Sequence, residues 1–278
     1  MRSAILRGRE HPELRAIATL GEGPLAIALS RGGAAKTYAH TDPNEDAAAF
    51  AHGPAGCVLA VADGHAGFEA AEVVIEHWLS HPAPHWTDEV GWKGEPAVPH
   101  DAWRRQALAA LRDAGRDVLR ERVQEGGGAA ATTFSTLFVR WERSEGSLLC
   151  IGDSPIFAVD RQGRARQLAP SEDTAKAFLG SVDPDGPELE ETCQIARVPL
   201  HGFAALVCAT DGLSEPGVGV EDPLAAVAQA FAVATHERSA LRPLTLARGL
   251  CERACQAHRK GRSGDNVAVA VAWLMRDP

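Results

Sequence analysis

The chain has 278 residues, 45% hydrophobic and 23% charged, and 28 basic against 37 acidic side chains leave a net charge of −9. These proportions are globular and exclude a disordered or fibrous chain, while the acidic excess argues against a general nucleic-acid or anionic-membrane surface, which needs clustered Lys and Arg. No run reaches the roughly 18 apolar residues of a membrane span, and Met1 to His11 carries charges where a signal peptide has its apolar stretch. The cysteines at 57, 150, 193, 208, 251 and 255 form no C-x-x-C pair, which favours reduced thiols and a soluble, cytoplasmic protein. Cys251 and Cys255 read as buried small hydrophobes, because no further Cys or His is spaced to complete a metal site with them.

Apolar runs bounded by Gly, Asp or Pro predict strands over Pro24–Leu29 and Cys57–Ala62. Helical spacing follows over Glu69–Leu79. Ser80–His100, with four prolines, two tryptophans and His81, His85 and His100, reads as an insertion loop whose histidines lack metal-ligand spacing. A second helix is expected over Trp103–Val123, where Trp103, Leu108, Leu111, Val118 and Leu119 gather on one stripe. Strands are expected over Thr133–Trp141, Leu148–Ile151, Ile156–Val159, Phe203–Ala209 and Val267–Trp273, and helices over Pro223–Ala234 and Leu244–His258. Helices thus come in consecutive pairs, which disfavours a doubly wound parallel sheet and fits antiparallel sheets covered by helix pairs. No repeat or interdomain linker interrupts residues 1–278, so one domain is expected.

Four apolar runs carry an aspartate at an end: VLAVADGHAG places Asp63, LLCIGDSP Asp153, ALVCATDG Asp211 and DNVAVAVAW Asp265. A further acidic pair, Glu45 and Asp46, stands in PNEDAAAF. Each Asp-Gly or Gly-Asp alone is an ordinary turn dipeptide. Together, if the strand ends converge, the carboxylates repel one another and need protons or cations. Oxygen-only ligands select hard ions such as Mg²⁺ or Mn²⁺, and two such ions roughly 3.5–4 Å apart can activate a water for attack on phosphorus.

NED at 44–46, ADGHAG at 62–67, TT at 132–133, GDS at 152–154, ATDG at 209–212 and GDN at 264–266 match in order the motifs of a known family. From Lys36 to the C-terminus the sequence resembles the metal-dependent type 2C Ser/Thr protein phosphatases. The resemblance implies an α+β fold, a four-layer αββα sandwich of two antiparallel sheets between helix pairs. It implies hydrolysis of phosphoserine and phosphothreonine in a phosphorylated protein substrate, with two and up to three Mg²⁺ or Mn²⁺ ions. Asp63 would be the bridging ligand, Gly64 a ligand through its carbonyl, and Asp46, Asp211 and Asp265 the other core carboxylates. Glu45 would act through water, Asp153 would help hold a third, weaker ion, and Asn266 would shape the loop around Asp265. His65 resembles the histidine that protonates the leaving alkoxide; the plain alternative is a cap on the helix beginning near Phe68. Arg164–Leu200 falls where the family carries a flap, and its VDPDGPELEE run equally suits a solvated loop.

Thr41 stands where family members usually have an Arg that grips the substrate phosphate, which leaves His40 and Lys36 as candidates for that task. Pro155 follows GDS where many members have Arg, a change not expected to touch the metals. No cysteine has an Arg six residues on, GGAAKT lacks the Gly of a nucleotide loop before Lys36, and no G-x-S-x-G occurs. Three readings remain: an active phosphoprotein phosphatase, a phosphatase of the bacterial regulatory branch with a dedicated substrate, and a phosphatase-fold binding module without turnover. Retention of every core carboxylate speaks against the last.

Overall fold

The computed structural model describes residues 1–37, 40–88, 100–124, 128–141, 145–171 and 177–275, with the side chains of His100 and Asp101 excepted. Its strands are β1 (Arg2–Arg7), β2 (Ala18–Glu22), β3 (Leu25–Ser30), β4 (Ala47–His52), β5 (Gly56–Ala62), β6 (Gly64–His65), β7 (Ala131–Thr132), β8 (Phe134–Arg140), β9 (Glu145–Ile151), β10 (Ile156–Asp160), β11 (Ala165–Ala169), β12 (Gln194–Pro199), β13 (Phe203–Ala209) and β14 (Val267–Trp273). Its helices are α1 (Glu69–Ser80), α2 (Pro82–Thr87), α3 (His100–Gln124), α4 (Glu188–Thr192), α5 (Pro223–Thr235) and α6 (Arg242–Gly261). Two six-stranded antiparallel sheets result, one in the order β1-β4-β5-β8-β9-β12 and the other β11-β10-β13-β14-β3-β2.

Three cores define four layers. Leu6, Leu25, Ile27, Leu29, Phe50, Leu59, Val61, Leu137 and Leu206 fill the space between the sheets. Val58, Ala60, Val74, Trp78, Trp86, Leu111 and Val118 join the first sheet to α1, α2 and α3. Val207, Val227, Phe231, Leu246, Leu250, Val269 and Val271 join the second sheet to α5 and α6. Along β5, Cys57, Leu59 and Val61 face one core while Val58, Ala60 and Ala62 face the other. Central strands buried on both faces therefore read as unbroken apolar runs, and each fully buried Leu or Val contributes roughly 1.5–3 kcal/mol. The expected α+β, αββα sandwich is the observed architecture.

The predicted insertion loop at 80–100 differs. Pro82 opens α2 at a helix position that needs no N–H. Trp86, 1% exposed, packs 5.5 Å from Trp78 and 5.6 Å from Trp103. Burial of this indole outweighs the proline content that suggested a loop. His81 stacks on His77 at 4.5 Å and His85 is exposed; residues 89–99 lie outside the described residues. Within the stretch 164–200, β11 edges one sheet and β12 the other; residues 172–176 of it lie outside the described residues. Among the described residues, no helix is long and apolar enough to cross a membrane.

Candidate active site

Antiparallel pairing brings the aspartates to one end of the sandwich. Asp46 immediately precedes β4 and Asp63 immediately follows β5, and Ala47 pairs with Ala62. Asp211 lies two residues beyond β13 and Asp265 two residues before β14, whose partners there are Ala209 and Val269. β9 runs in the same direction as β5, across β8, so its C-terminal turn delivers Asp153 to the same end. Asp46, Asp63 and Asp265 are 1%, 5% and 4% exposed. Single oxygens of Asp63, Asp153 and Asp211 lie within 4.8 Å of one another, and so do those of Asp211, Glu215 and Asp265.

The supports are short-range and specific. The Thr132 hydroxyl donates to the Asp63 carbonyl at 2.9 Å, and the Asp63 N–H donates to Thr133 Oγ1 at 3.2 Å. Thr210 Oγ1 donates to Asp46 Oδ2 at 2.7 Å while accepting from Ala268 N at 2.8 Å. Asn266 accepts from Glu45 N at 2.9 Å and donates to Pro43 O at 2.9 Å, so it ties the NED loop to the strand β14 loop. A Cβ on Gly64 would lie 2.4 Å from Glu45 O, and one on Gly212 1.8 Å from Asn266 O, so these loops close only with glycine there.

Glu45 Oε1 accepts the N–H groups of Thr41, Asp42 and Gly67 at 3.1, 3.2 and 2.8 Å. Its other oxygen accepts Lys36 Nζ at 3.1 Å, and the same ammonium lies 3.4 Å from Asp265 Oδ1. The Lys36 side chain is 3% exposed, so it sits inside the carboxylate cluster and not on a substrate-facing surface. His40 is exposed beside Asp42, whose carboxyl is pushed up by burial and Glu45 while His40 pulls it down. Thr41 is exposed as well. His65 is at the mouth, its side chain 45% exposed, with Nδ1 3.3 Å from the Asp63 carbonyl and its ring 4.6 Å from Phe178. Phe68 holds the N-cap position of α1 without a side-chain cap bond, and the hydrogen bond of the His65 ring goes back to the Asp63 carbonyl. Leu179, next to Phe178, pairs with Thr132, which sets part of the 164–200 stretch against the mouth.

Burial first, and then Asp265, raises Asp46 to about 7. Burial and the neighbouring carboxylates, Asp211 chief for Asp63 and Asp265 chief for Asp211, hold both of those groups well above the ordinary carboxylate range. Asp46 Oδ1 is buried with no hydrogen-bond partner among the described residues. An all-oxygen donor set with an orphaned carboxylate oxygen fits a hard divalent cation. A carboxyl whose folded pKa is raised stabilises the fold below its unfolded pKa and loses that stability as pH rises through the folded value. Chelated protein should therefore melt about 4 °C or more higher at pH 6 than at pH 8, in differential scanning calorimetry, and Mn²⁺ should raise the melting temperature most at pH 8.

Three contributors were not singled out by sequence. Glu215 lies four residues after Asp211, where the intervening 3₁₀ turn returns its carboxylate to the cluster. Thr210 reads as part of ATDG without a role of its own. His258, 0% exposed on α6, accepts from Gly33 N at Nδ1 (3.3 Å) and so donates from Nε2 to Gly212 O (2.8 Å). Burial lowers its pKa, partly offset by the bond to Gly212, and that bond ties α6 to the Asp211 turn. Helical periodicity marked its position, but its two partners are 46 and 225 residues away.

The search against curated proteins gave no match. Among solved structures, the Mycobacterium tuberculosis serine/threonine phosphatase PstP/Ppp is 20% identical with a TM-score of 0.62, covering 91% of this chain and 98% of its own. The catalytic domain of PstP in complex with two manganese ions is 21% identical with a TM-score of 0.58, over 93% and 99%. Serine-threonine phosphatase 2C from Toxoplasma gondii is 15% identical with a TM-score of 0.63, over 93% and 99%. These likenesses are of fold, and they agree with the two sheets and helix layers described above. The sequence profile of protein phosphatase 2C matches residues 35–248, which is most of the chain and includes all the cluster carboxylates except Asp265. The chain belongs to the protein phosphatase 2C family.

Proposed function

We propose that this chain hydrolyses phosphoserine and phosphothreonine monoesters in proteins, using water activated at a pair of Mg²⁺ or Mn²⁺ ions. The observation that carries this reading is the convergence of Asp46, Asp63, Asp211 and Asp265 from both sheets, with a buried Asp46 oxygen left for a ligand outside the chain. Those four carboxylates and the Gly64 carbonyl would hold the pair, and Asp153 with Asp211 would hold a third ion. Bound ions of this kind supply an acidified water and neutralise phosphate charge. The chain's own work is to orient and to move one proton. Asp63 O fixes the His65 ring through Nδ1, and the protonated imidazole passes its Nε2 proton to the departing Ser or Thr oxygen. Glu45 holds the Thr41–Asp42 and Gly67 loops together through its accepted N–H groups. The segment between β11 and β12, with Phe178 beside the His65 ring, acts as the flap that selects the substrate. The free cysteines, five of them buried, suit a reducing cytoplasm.

The test is hydrolysis of an aryl phosphate and of a phosphothreonine peptide, each with Mn²⁺ and with chelator. Mn²⁺-dependent release from both is expected; no release from either with Mn²⁺ bound would favour a binding module over an enzyme. Thr41 adds a second expectation. An Arg fork contributes roughly 1.5–3 kcal/mol to phosphate binding, so its absence should give a high KM for small phosphate esters. Thr41→Arg should lower KM about tenfold to a hundredfold with a smaller change in kcat, because gripping non-reacting oxygens is largely shared by ground and transition states. Unchanged steady-state kinetics would mean that another basic group already fills the position.

A further inference from the structure

We infer that Lys36 is a tethered cation built into the metal centre, a positioning residue whose ammonium balances Glu45 and Asp265 and holds down the centre's affinity for divalent ions. This rests on the divalent-metal reading above. The main chain around Lys36 is fixed before its side chain enters: Lys36 forms a parallel bridge with Gly264, Gly264 N donates to Ala35 O at 3.1 Å, and Thr37 Oγ1 lies 3.0 Å from Ser263 Oγ. A Cβ on Gly264 would lie 1.9 Å from Ala34 O, so the two loops meet backbone to backbone. From that platform Nζ reaches Glu45 Oε2 at 3.1 Å and Asp265 Oδ1 at 3.4 Å, with the side chain 3% exposed. Asp265 Oδ1 also accepts Asn266 N at 2.7 Å.

The electrostatic consequence is direct. Two carboxylates within ion-pair distance of Nζ, one from the NED loop and one from the GDN loop, hold its positive charge inside the cluster. A fixed positive charge in contact with Asp265 repels any divalent ion that uses the same carboxylate, and the low local dielectric makes this repulsion larger than in water. The same charge relieves the crowding of carboxylates when no ion is bound. Lys36 therefore stabilises the empty centre and weakens the filled one.

The experiment uses wild type, Lys36→Met and the double variant Lys36→Met/Glu45→Gln. Mn²⁺ binding is measured by isothermal titration calorimetry at pH 8, and chelated protein is melted in parallel. Lys36→Met should bind Mn²⁺ on the order of tenfold tighter and melt about 4 °C or more lower when chelated. The double variant removes one charge of each sign and should return both values most of the way to wild type. Wild type that binds Mn²⁺ alongside a Lys36→Met protein of equal or weaker affinity would overturn the inference and leave the metal reading standing. Wild type that binds no Mn²⁺ would sink the metal reading and the inference with it. Should Lys36→Met fail to fold, the double variant decides: Mn²⁺ affinity within a few-fold of wild type supports the charge-balance account, and loss of binding overturns it.

Discussion

Asp63→Asn and Asp211→Asn are each expected to reduce kcat/KM for any phosphate ester by about a thousandfold or more, at least about 4 kcal/mol of transition-state stabilisation. Each substitution removes a charge from a set of buried oxygens arranged around one point, while the surrounding supports stay in place. The Thr132 hydroxyl still reaches the backbone carbonyl of residue 63, and Gly212 still packs on Asn266. Both variants should thus fold. In chelator they should melt about 2–4 °C above wild type, because a neutral amide relieves the cost of burial and the repulsion that together raise the pKa of Asp63 and Asp211. Circular dichroism melts with and without Mn²⁺ read both effects. Near-wild-type turnover in metal-saturated buffer, in either variant, would remove the two-ion account.

His65→Ala should act on a different part of the reaction and show a different signature. An alkoxide leaves poorly without a proton, whereas nitrophenolate leaves unaided, so hydrolysis of a phosphothreonine peptide should fall about 10²-fold or more while p-nitrophenyl phosphate loses about tenfold less. The ring rests against the Asp63 carbonyl and Phe178, and its side chain is 45% exposed. A merely structural histidine would slow both substrates alike. Steady-state rates on the two substrates, measured at equal Mn²⁺, separate the cases.

How much of this was legible before the fold depends on the range of the forces involved. Buried sandwich strands such as Phe203–Ala209 and Val267–Trp273 declare themselves as apolar runs, and their sequence bounds are those observed. The ends carrying Asp63, Asp211 and Asp265 follow from the same runs. Edge strands did not show: β1 carries Arg2 and Arg7, β11 carries Arg166 and Gln167, and β12 carries Gln194 and Arg197, because one side of each meets solvent and breaks the apolar pattern. β4 was hidden differently, as AAAFAH has weak strand propensity and is fixed by pairing with β1 and β5. Pro82–Thr87 looks like a loop in sequence because its prolines are a local signal, whereas the burial of Trp86 against Trp78 and Trp103 depends on the fold. In the site, carboxylates were legible because they cluster in turn motifs. Lys36 was legible as a cation near the site, though not as a buried partner of Asp265, which is 229 residues away by sequence numbering. His258 and Thr210 act only through contacts across the fold, and no local pattern encodes them.

On the proposed function, divalent ions held by the converging carboxylates power phosphoester hydrolysis. The direct measurement is a calorimetric Mn²⁺ titration of chelated protein, with phosphate release from a phosphothreonine peptide followed in the same samples. The account expects no release before Mn²⁺ is added, and release that rises with occupancy and levels as two ions per chain are bound. Equal release in excess chelator, or full Mn²⁺ occupancy without any release, would contradict it.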